Sequence, residues 1–158
     1  LTSSFYNPRV DCSSETVSRY LLAMQEALLQ DARNSLVDGG SLILNLGGRV
    51  PVVLVEELFA RSGYSYKELY TMLKVQSQPE IMLPSYARAE KEGRVEFNFY
   101  RVDKANKLMN KLPTTGVSAK ELKLILTPAL VTATQAVQLH KHHERIGHIV
   151  QIIRGIKR

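Results

Sequence analysis

An α/β fold is predicted by three features that follow one another around residues 36–49. A long amphipathic segment ends at Gly39-Gly40, a short apolar run follows, and a second Gly-Gly pair leads to Pro51 and another amphipathic segment. Helix, buried strand, glycine turn and helix form the repeating unit of an open α/β sheet. Ligands of such sheets bind at the carboxyl ends of the strands, which here means residues 45–49.

The length and composition are those of a globular domain. The chain has 158 residues, enough for a hydrophobic core, and no apolar run reaches the roughly 18 residues of a membrane span. Its first residues lack both a signal-peptide pattern and an initiating Met, which we interpret as a cut within a longer protein or a processed end. Cys12 is the only cysteine, so no intrachain disulfide is possible, and a cytoplasmic location is expected.

The positive charge is concentrated in the last third of the chain. Residues 1–102 hold 11 Lys/Arg and 12 Asp/Glu, whereas residues 103–158 hold 10 Lys/Arg and 3 Asp/Glu. We therefore divide the chain at residue 102 and interpret residues 103–158 as a basic, mainly helical C-terminal extension. Such an extension could contact nucleic acid, an anionic substrate or an acidic partner, although a solvated helical surface is the simpler explanation.

The first predicted helix runs from Ser14 to about Val37. Ser13 or Ser14 is its N-cap, and Glu15 complements the dipole of its first turn. Gly39 and Gly40 end it. Apolar residues recur at spacings of three and four and predict one buried stripe: Val17, Tyr20, Leu21, Met24, Leu28, Ala32 and Leu36.

The strand at Ser41–Leu46 is apolar at almost every position, which is typical of a central strand covered on both faces. Pro51 then opens a helix over residues 52–60 that ends at Gly63. Residues 64–75 are predicted to be extended.

Two prolines and an alternating run determine the prediction for the middle of the chain. Pro79 and Pro84 are predicted to bracket a loop, which a short helix over residues 85–92 follows. Residues 95–102 alternate between apolar and polar side chains and are predicted to pair antiparallel with the strand at 64–75.

The C-terminal region is predicted from its capping signals. Ser118 and Glu121 have capping-box spacing, so a helix should begin near Ala119. Pro128 should break that helix or open the next one, which would run to about His143. Residues 145–154 form a last amphipathic segment.

The strongest candidate binding site is the turn that contains Asn45, Gly47, Gly48 and Arg49. Glycines let a ligand approach the backbone, the following helix N-terminus favours anions, and Arg49 could hold a carboxylate. A purely structural β-to-α turn remains the alternative. The turn lacks the third glycine of a dinucleotide fingerprint and the Gly-Lys-Ser/Thr of a P-loop.

Other candidate sites are weaker. His140, Glu144 and His148 would share one face of a continuous helix, with His142 and His143 nearby, and could contribute to a metal site. The simpler explanation is a polar surface segment. Cys12 has no identifiable base, and no nucleophile elbow is present, so no catalytic residue is assigned. The basic third lacks interleaved aromatics for base stacking, which makes nucleic acid the less favoured partner.

A family resemblance rests on the order of these elements and on three sequence runs. The runs are Asn-Leu-Gly-Gly-Arg at 45–49, Glu-Glu-Leu-Phe-Ala-Arg-Ser-Gly-Tyr at 56–64 and Val-Glu-Phe-Asn-Phe-Tyr at 95–100. They resemble the second half of a class I S-adenosylmethionine-dependent methyltransferase, and more narrowly the methyltransferase region of plant-type methionine S-methyltransferase. The similarity covers about residues 14–102, with a fainter match at 145–154.

The resemblance implies a partial Rossmann-like methyltransferase sheet, made of strands five to seven with flanking helices and followed by C-terminal helices. Residues 41–46 would be strand five, residues 64–75 strand six, and residues 95–102 an antiparallel strand seven. In this family a glycine-rich loop after strand one and an acidic residue after strand two hold the cofactor, and a motif after strand four, often Asn-Pro-Pro-Tyr, holds the substrate. None of these lies in the chain, and Asn7-Pro8-Arg9 does not match the last.

The function implied is that of part of a methyltransferase acting on a small molecule. S-adenosylmethionine would be bound by the complete parent and not by this chain alone, which would be inactive by itself. Asn45, Gly47, Gly48 and Arg49 would line the substrate side. The expected partner is a missing N-terminal half or a neighbouring domain, with self-association as a further possibility, because a truncated sheet exposes a strand edge and an apolar face. The alternative is a non-enzymatic α/β interaction module whose basic arm binds an acidic partner or nucleic acid.

Overall fold

A computed structural model of the chain describes residues 14–110, 112 and 116–158. The fold class is α/β, as predicted, and its five described strands form one antiparallel sheet. No helix in this part of the chain combines the length and the apolar character that crossing a membrane requires. Cys12 and Ser13 lie outside the described residues.

The elements are numbered in chain order. The described helices are α1 Glu15–Arg19, α2 Ala23–Ser35, α3 Val52–Arg61, α4 Pro79–Gly93, α5 Val102–Met109, α6 Ala119–Ile125 and α7 Ala133–Lys141, with a 3₁₀ turn at Thr127–Ala129. The strands are β1 Ser41–Gly47, β2 Tyr64–Val75, β3 Phe99–Arg101, β4 Leu130–Val131 and β5 Ile146–Lys157.

Strand β5 is the centre of the sheet. Its residues 147–157 pair antiparallel with β2. Along the opposite edge, residues 150–156 pair with β1, and Ile146 and Gly147 pair with β3, which in turn pairs with β4. Strands β1 and β2 are therefore parallel to each other, are connected through α3, and lie on either side of the antiparallel β5.

This topology corrects two predictions. Residues 146–157 were assigned to a mainly helical extension, but they form the strand that joins the rest of the sheet. Residues 95–102 were predicted to pair with residues 64–75, but only Phe99–Arg101 is a strand, and it pairs with β5 and β4. Local alternation could not identify the partner, because β2 pairs with a strand that lies about seventy residues further along the chain.

One face of the sheet is covered by helices. Among the described residues the other face is open except near His148, which projects to that side opposite Lys74 and is buried beside Arg49. Leu42, Leu44 and Leu46 of β1 alternate onto the covered face, together with Ile153 and Gly155 of β5. Helix α3 packs on this face, where a Cβ on Gly155 would lie only 2.9 Å from the Phe59 ring. Helix α2 packs there too, since the Tyr64 hydroxyl donates to the Leu29 carbonyl over 3.0 Å.

The predicted helix over residues 14–37 is two helices. Ser14 caps α1, as predicted, but the chain breaks at Tyr20–Leu22, where Leu21 has a φ of +58°. The break changes the helical phase, so Leu29 is buried whereas Met24 and Leu28 of the predicted stripe are exposed. A single 3.6-residue period cannot describe both helices.

Strand β1 is not a central strand covered on both faces. Among the described residues it pairs only with β5, and its exposed and half-buried residues alternate up to the buried Leu46. Ile43 is 65% exposed on the open face. Despite its nearly continuous apolar sequence, β1 is therefore an edge strand whose outer side has no partner in the part of the chain that the structure describes.

Helix α4 replaces the predicted loop between Pro79 and Pro84. Pro79 is its first residue, where a missing N–H costs little, and Pro84 lies within it. The capping signals further along the chain are confirmed: Ser118 and Glu121 form a capping box at α6, and the chain leaves that helix just before Pro128.

The end of α4 provides a test of backbone strain. Arg94 follows the helix with a φ of +50° and an exposed side chain. Replacing Arg94 with Gly is expected to raise the free energy of unfolding by about 1 kcal/mol, because Gly avoids the Cβ clash of the left-handed conformation. Urea denaturation would measure the change. Arg94→Ala keeps the Cβ and should give no gain, and an equal gain from both variants would contradict the explanation.

Candidate functional site

The candidate site lies at the carboxyl end of β1, where Gly47, Gly48 and Arg49 leave the strand. The turn stays attached to the sheet, because the Gly48 amide donates to the Ile149 carbonyl over 2.6 Å. The Arg49 carbonyl accepts from the Asn98 amide, also over 2.6 Å. These bonds bridge the gap between β1 and β3 on the same edge of β5, and they fix the backbone from which the Arg49 side chain extends.

The Arg49 guanidinium is surrounded by neutral groups. Its Nη2 donates to the Gln76 Oε1 over 2.9 Å and lies 2.9 Å from the Nε2 of His148. Its Cζ lies 4.9 Å from the ring centroid of Tyr86 and 5.8 Å from that of Phe99. Five elements thus meet at one cation: the turn after β1, the end of β2, helix α4, strand β3 and strand β5. We call Arg49, Gln76, Tyr86, Phe99 and His148 the Arg49 cluster.

The partners of Arg49 are held in place by their own packing. The Gln76 amide nitrogen donates to the Ser77 carbonyl over 2.8 Å, which leaves Oε1 directed at the guanidinium. The Tyr86 ring packs edge-on against Phe99, with centroids 5.5 Å apart. Both aromatic faces attract a cation through their ring quadrupoles.

The positive charge of Arg49 has no counter-ion among the described residues. None of the ion pairs in this part of the chain includes it, and its buried Nε has no hydrogen-bond partner there. A partly buried guanidinium is ordinarily paired with a carboxylate or phosphate. The site can therefore accept an anionic group without displacing an existing ion pair.

His148 is a neutral acceptor in this cluster. Burial, together with the smaller effects of the nearby Arg49 and Lys74 charges, lowers the pKa of its imidazole to about 3. Near neutral pH the ring is uncharged, so one ring nitrogen can accept from Arg49. A protonated His148 would instead place a second cation against the guanidinium.

The two glycines have different roles. A Cβ on Gly48 would lie 3.1 Å from both Gln151 Oε1 and Ile149 Cγ2, so this glycine makes room for β5. A Cβ on Gly47 would collide with Nη1 of Arg49, and Gly47 itself is exposed. The absence of a side chain at Gly47 therefore leaves the guanidinium approachable from solvent.

The structure brings together three of the four residues predicted for this site. Asn45 and Gly47 lie two positions apart on β1 and share its open face, and Arg49 extends beneath Gly47. Asn45 is exposed, whereas Gly48 is buried against β5. Gln76, Tyr86 and Phe99 were not predicted, because they are distant in sequence and belong to no motif.

The predicted metal candidates are separated. Helix α7 ends at Lys141, so His140 and His148 do not share a helix, and His148 lies in β5 beside Arg49. Glu144 pairs with Arg101 over 2.6 Å. The described residues contain no group of three or more His, Cys, Asp or Glu side chains that could hold a metal ion.

A cleft lies at the outer edge of β2. This cleft has a volume of about 520 Å³, and its lining is mostly apolar, including Leu69, Met72 and Leu122. Its carboxylate, Glu68, already accepts from the Ala119 amide over 2.8 Å and from the Thr71 hydroxyl over 2.7 Å. The cleft thus lacks the uncompensated charge that distinguishes the Arg49 cluster.

No protein-family model matches the sequence, and a search of curated proteins also gave no match.

Proposed function

We propose that this chain is part of a small-molecule methyltransferase that depends on S-adenosylmethionine, and that the Arg49 cluster binds an anionic group of the substrate. The observation that carries the proposal is the Arg49 guanidinium, which has neutral partners and lies at the carboxyl end of β1. That end of the strand is where open α/β sheets bind ligands.

The arrangement of β1, α3, β2 and β5 supports the family assignment. A strand, a helix and a second parallel strand are followed by an antiparallel strand between them, which is consistent with an antiparallel strand seven in the resemblance. In this proposal β5 takes the role that residues 95–102 had in the sequence-based assignment. Residues 76–145 are then an insertion that supplies Tyr86 and Phe99 to the site.

The proposed cofactor-binding half lies outside this chain. The sequence lacks the glycine-rich loop and the acidic residue that hold the cofactor in the family. The outer edge of β1 is unpaired in the described part of the chain and is available to further strands. We propose that a preceding half or a neighbouring domain pairs there and supplies the cofactor site.

The residues of this chain would act by positioning. S-adenosylmethionine, when bound by the complementary half, supplies the activated methyl group. Arg49 would hold the anionic group of the acceptor, His148 and Gln76 would fix the guanidinium, and Gly47 would leave the approach open. Alignment of an acceptor with a methyl donor lowers the barrier mainly through proximity and orientation.

Calorimetric titration of S-adenosylmethionine into the purified chain can test whether the cofactor site lies outside this chain. We expect no binding, because the cofactor motifs are absent. Micromolar or tighter binding would contradict the proposed division and would place the cofactor site in this chain.

The reaction can be tested with the native full-length polypeptide that contains this sequence, purified from its host. Tritiated S-adenosylmethionine and a small-molecule extract of the host would be supplied, and label in the acceptor pool would be counted. We expect transfer, and we expect Arg49→Lys to reduce its rate roughly 100-fold, because Lys cannot keep the paired and stacked geometry of a guanidinium. Arg88→Lys, at an exposed position of α4, is the control. An absence of transfer in the wild type would contradict the proposed activity.

The interaction module remains a second candidate because five exposed cations in the last third have no ion-pair partner among the described residues: Lys104, Lys107, Lys141, Arg154 and Arg158. Other cations in this region are engaged, with Lys120 pairing with Glu56 and Arg145 with Asp103. Binding to random-sequence DNA that weakens steeply with salt, in a protein without methyl transfer, would favour this candidate.

A further inference from the structure

The open face of the sheet is defined by the pairing register. Ile43, Asn45 and Gly47 of β1 lie opposite Arg154, Ile152 and Val150 of β5. On the other side of β5, Tyr70 and Met72 lie opposite Ile152 and Val150, and Lys67 lies opposite Arg154. Since paired residues project to the same side of a sheet, these side chains form one continuous surface.

Apolar side chains on this surface are accessible to solvent. Ile43 is 65% exposed, Tyr70 is 42% exposed and Met72 is 44% exposed. Val150 and Ile152, which lie between them on the central strand, are only partly buried. A contiguous apolar patch that spans three strands is typical of an interaction surface.

The charge on the open face has one sign. Lys67, Lys74 and Arg154 alternate onto it from two strands, and all three are exposed. None of them belongs to an ion pair among the described residues. No Asp or Glu of β1, β2 or β5 projects to this side, because Glu68 faces the covered side with its partner Gln151.

We propose that the open face is the docking surface for an amphipathic helix of a partner polypeptide, with an apolar stripe flanked by Asp and Glu. Three strands about 4.8 Å apart present a strip about 10 Å wide, which matches the diameter of a helix with its side chains. An apolar stripe would cover Ile43, Ile152 and Met72, and the acidic flanks would meet Lys67, Lys74 and Arg154.

The charge pattern distinguishes this partner from a second copy of the chain. Two open faces brought together would oppose six cations without a carboxylate between them, which is unfavourable in a dehydrated interface. The proposal does not depend on methyl transfer, since either an enzyme or an interaction module could use this surface.

The test uses two fluorescein-labelled helical peptides of identical length and apolar stripe, one with Glu on both flanks and one with Lys. Binding to the full chain would be followed by fluorescence anisotropy at several salt concentrations. We expect the Glu peptide to bind at least about tenfold more tightly than the Lys peptide, with an advantage that falls as salt screens the charges. Equal binding of both peptides, or binding of neither, would overturn the proposal.

A charge-reversal variant tests whether the peptide binds at the open face. The triple variant Lys67→Glu, Lys74→Glu and Arg154→Glu should reverse the preference, so that the Lys peptide binds more tightly. The matched control reverses Arg61, Arg88 and Lys91, which changes the net charge equally at exposed positions outside the open face. The control should keep the preference for the Glu peptide. Loss of the preference in the control would show that net charge alone is responsible and would overturn the proposal.

A cationic apolar face could also bind an anionic membrane. Vesicles that contain phosphatidylserine distinguish membrane binding from peptide binding. If the chain binds these vesicles at all, we expect the triple variant to bind them equally well. Vesicle binding that depends on Lys67, Lys74 and Arg154, without peptide binding, would assign the face to a membrane and overturn the proposal.

Discussion

Replacing Glu90 with Ala is expected to lower the free energy of unfolding by about 3 kcal/mol. The Glu90 carboxylate is buried and accepts four hydrogen bonds. Oε1 accepts from the amides of Phe97 and Ala133 over 2.9 and 2.8 Å. Oε2 accepts from the amide and the hydroxyl of Thr134 over 2.9 and 3.0 Å.

The size of the effect follows from what truncation leaves behind. Glu90 ties α4 to the first turn of α7 and to the segment that precedes β3, so three backbone amides would lose their acceptor together. Each unpaired buried donor costs about 1–3 kcal/mol, and the carboxylate also complements the α7 dipole. Water entering the cavity would recover part of this loss.

Chemical denaturation of three variants would test this account. Glu90→Gln preserves the shape and one acceptor oxygen and should lose less stability than Glu90→Ala. Glu92→Ala removes an exposed carboxylate from the same helix and should change stability by less than about 0.5 kcal/mol. If Glu90→Ala and Glu92→Ala were equally stable, the four hydrogen bonds would contribute nothing to folding.

Glu90 also illustrates the limit of sequence reasoning. Its seven-residue separation from Phe97 lies within a predicted helix and strand, but its bonds to Ala133 and Thr134 join segments more than forty residues apart. Nothing in the sequence distinguishes Glu90 from the exposed Glu92. Buried polar partners are set by tertiary packing, which local patterns do not report.

Structural features that depend on residues close together in the sequence were predicted more successfully. The Ser118–Glu121 capping box and the Ser14 N-cap are confirmed, because a cap depends on residues three apart. The predicted end of α3 near Gly63 is also confirmed, because this helix ends at Arg61 and Gly63 follows in the left-handed conformation. Pro84 misled the prediction of a loop, because packing of α4 against α7 overrides the local penalty of an internal proline.

Only the part of the candidate site that lies on β1 and its glycine turn could be predicted from the sequence. Placing a ligand site at the carboxyl end of β1 identified Asn45, Gly47 and Arg49, which follow from the strand and its glycine turn. Gln76, Tyr86 and His148 come from three other elements, and their convergence depends on β5 lying between β1 and β2. Because β5 was predicted as part of a mainly helical extension, this convergence could not be predicted.

Acidification is expected to destabilise the chain through His148. Its folded-state pKa of about 3 lies well below the value of about 6.5 for an unfolded histidine. The unfolded chain therefore takes up a proton between pH 6.5 and 3 that the folded chain does not. The stability due to the neutral imidazole is fully present above pH 6.5 and is lost as the pH falls toward 3.

The expected loss between pH 7.5 and pH 5 is roughly 2 kcal/mol, since each pH unit below 6.5 is worth about 1.36 kcal/mol. Urea denaturation of the wild type and of His148→Gln at pH 7.5, 6 and 5 would measure it. Gln keeps a neutral acceptor near Arg49 but cannot titrate, so its stability should fall by roughly 2 kcal/mol less over this range.

His142→Gln is the matched control, because His142 is exposed at the end of α7. This variant should retain the acid sensitivity of the wild type, which assigns the effect to burial beside Arg49 and Lys74. If His148→Gln and the wild type lost stability equally, His148 would be protonated in the folded chain at pH 5. Its ring could then not accept from Arg49, and the neutral environment that we propose for anion binding would be wrong.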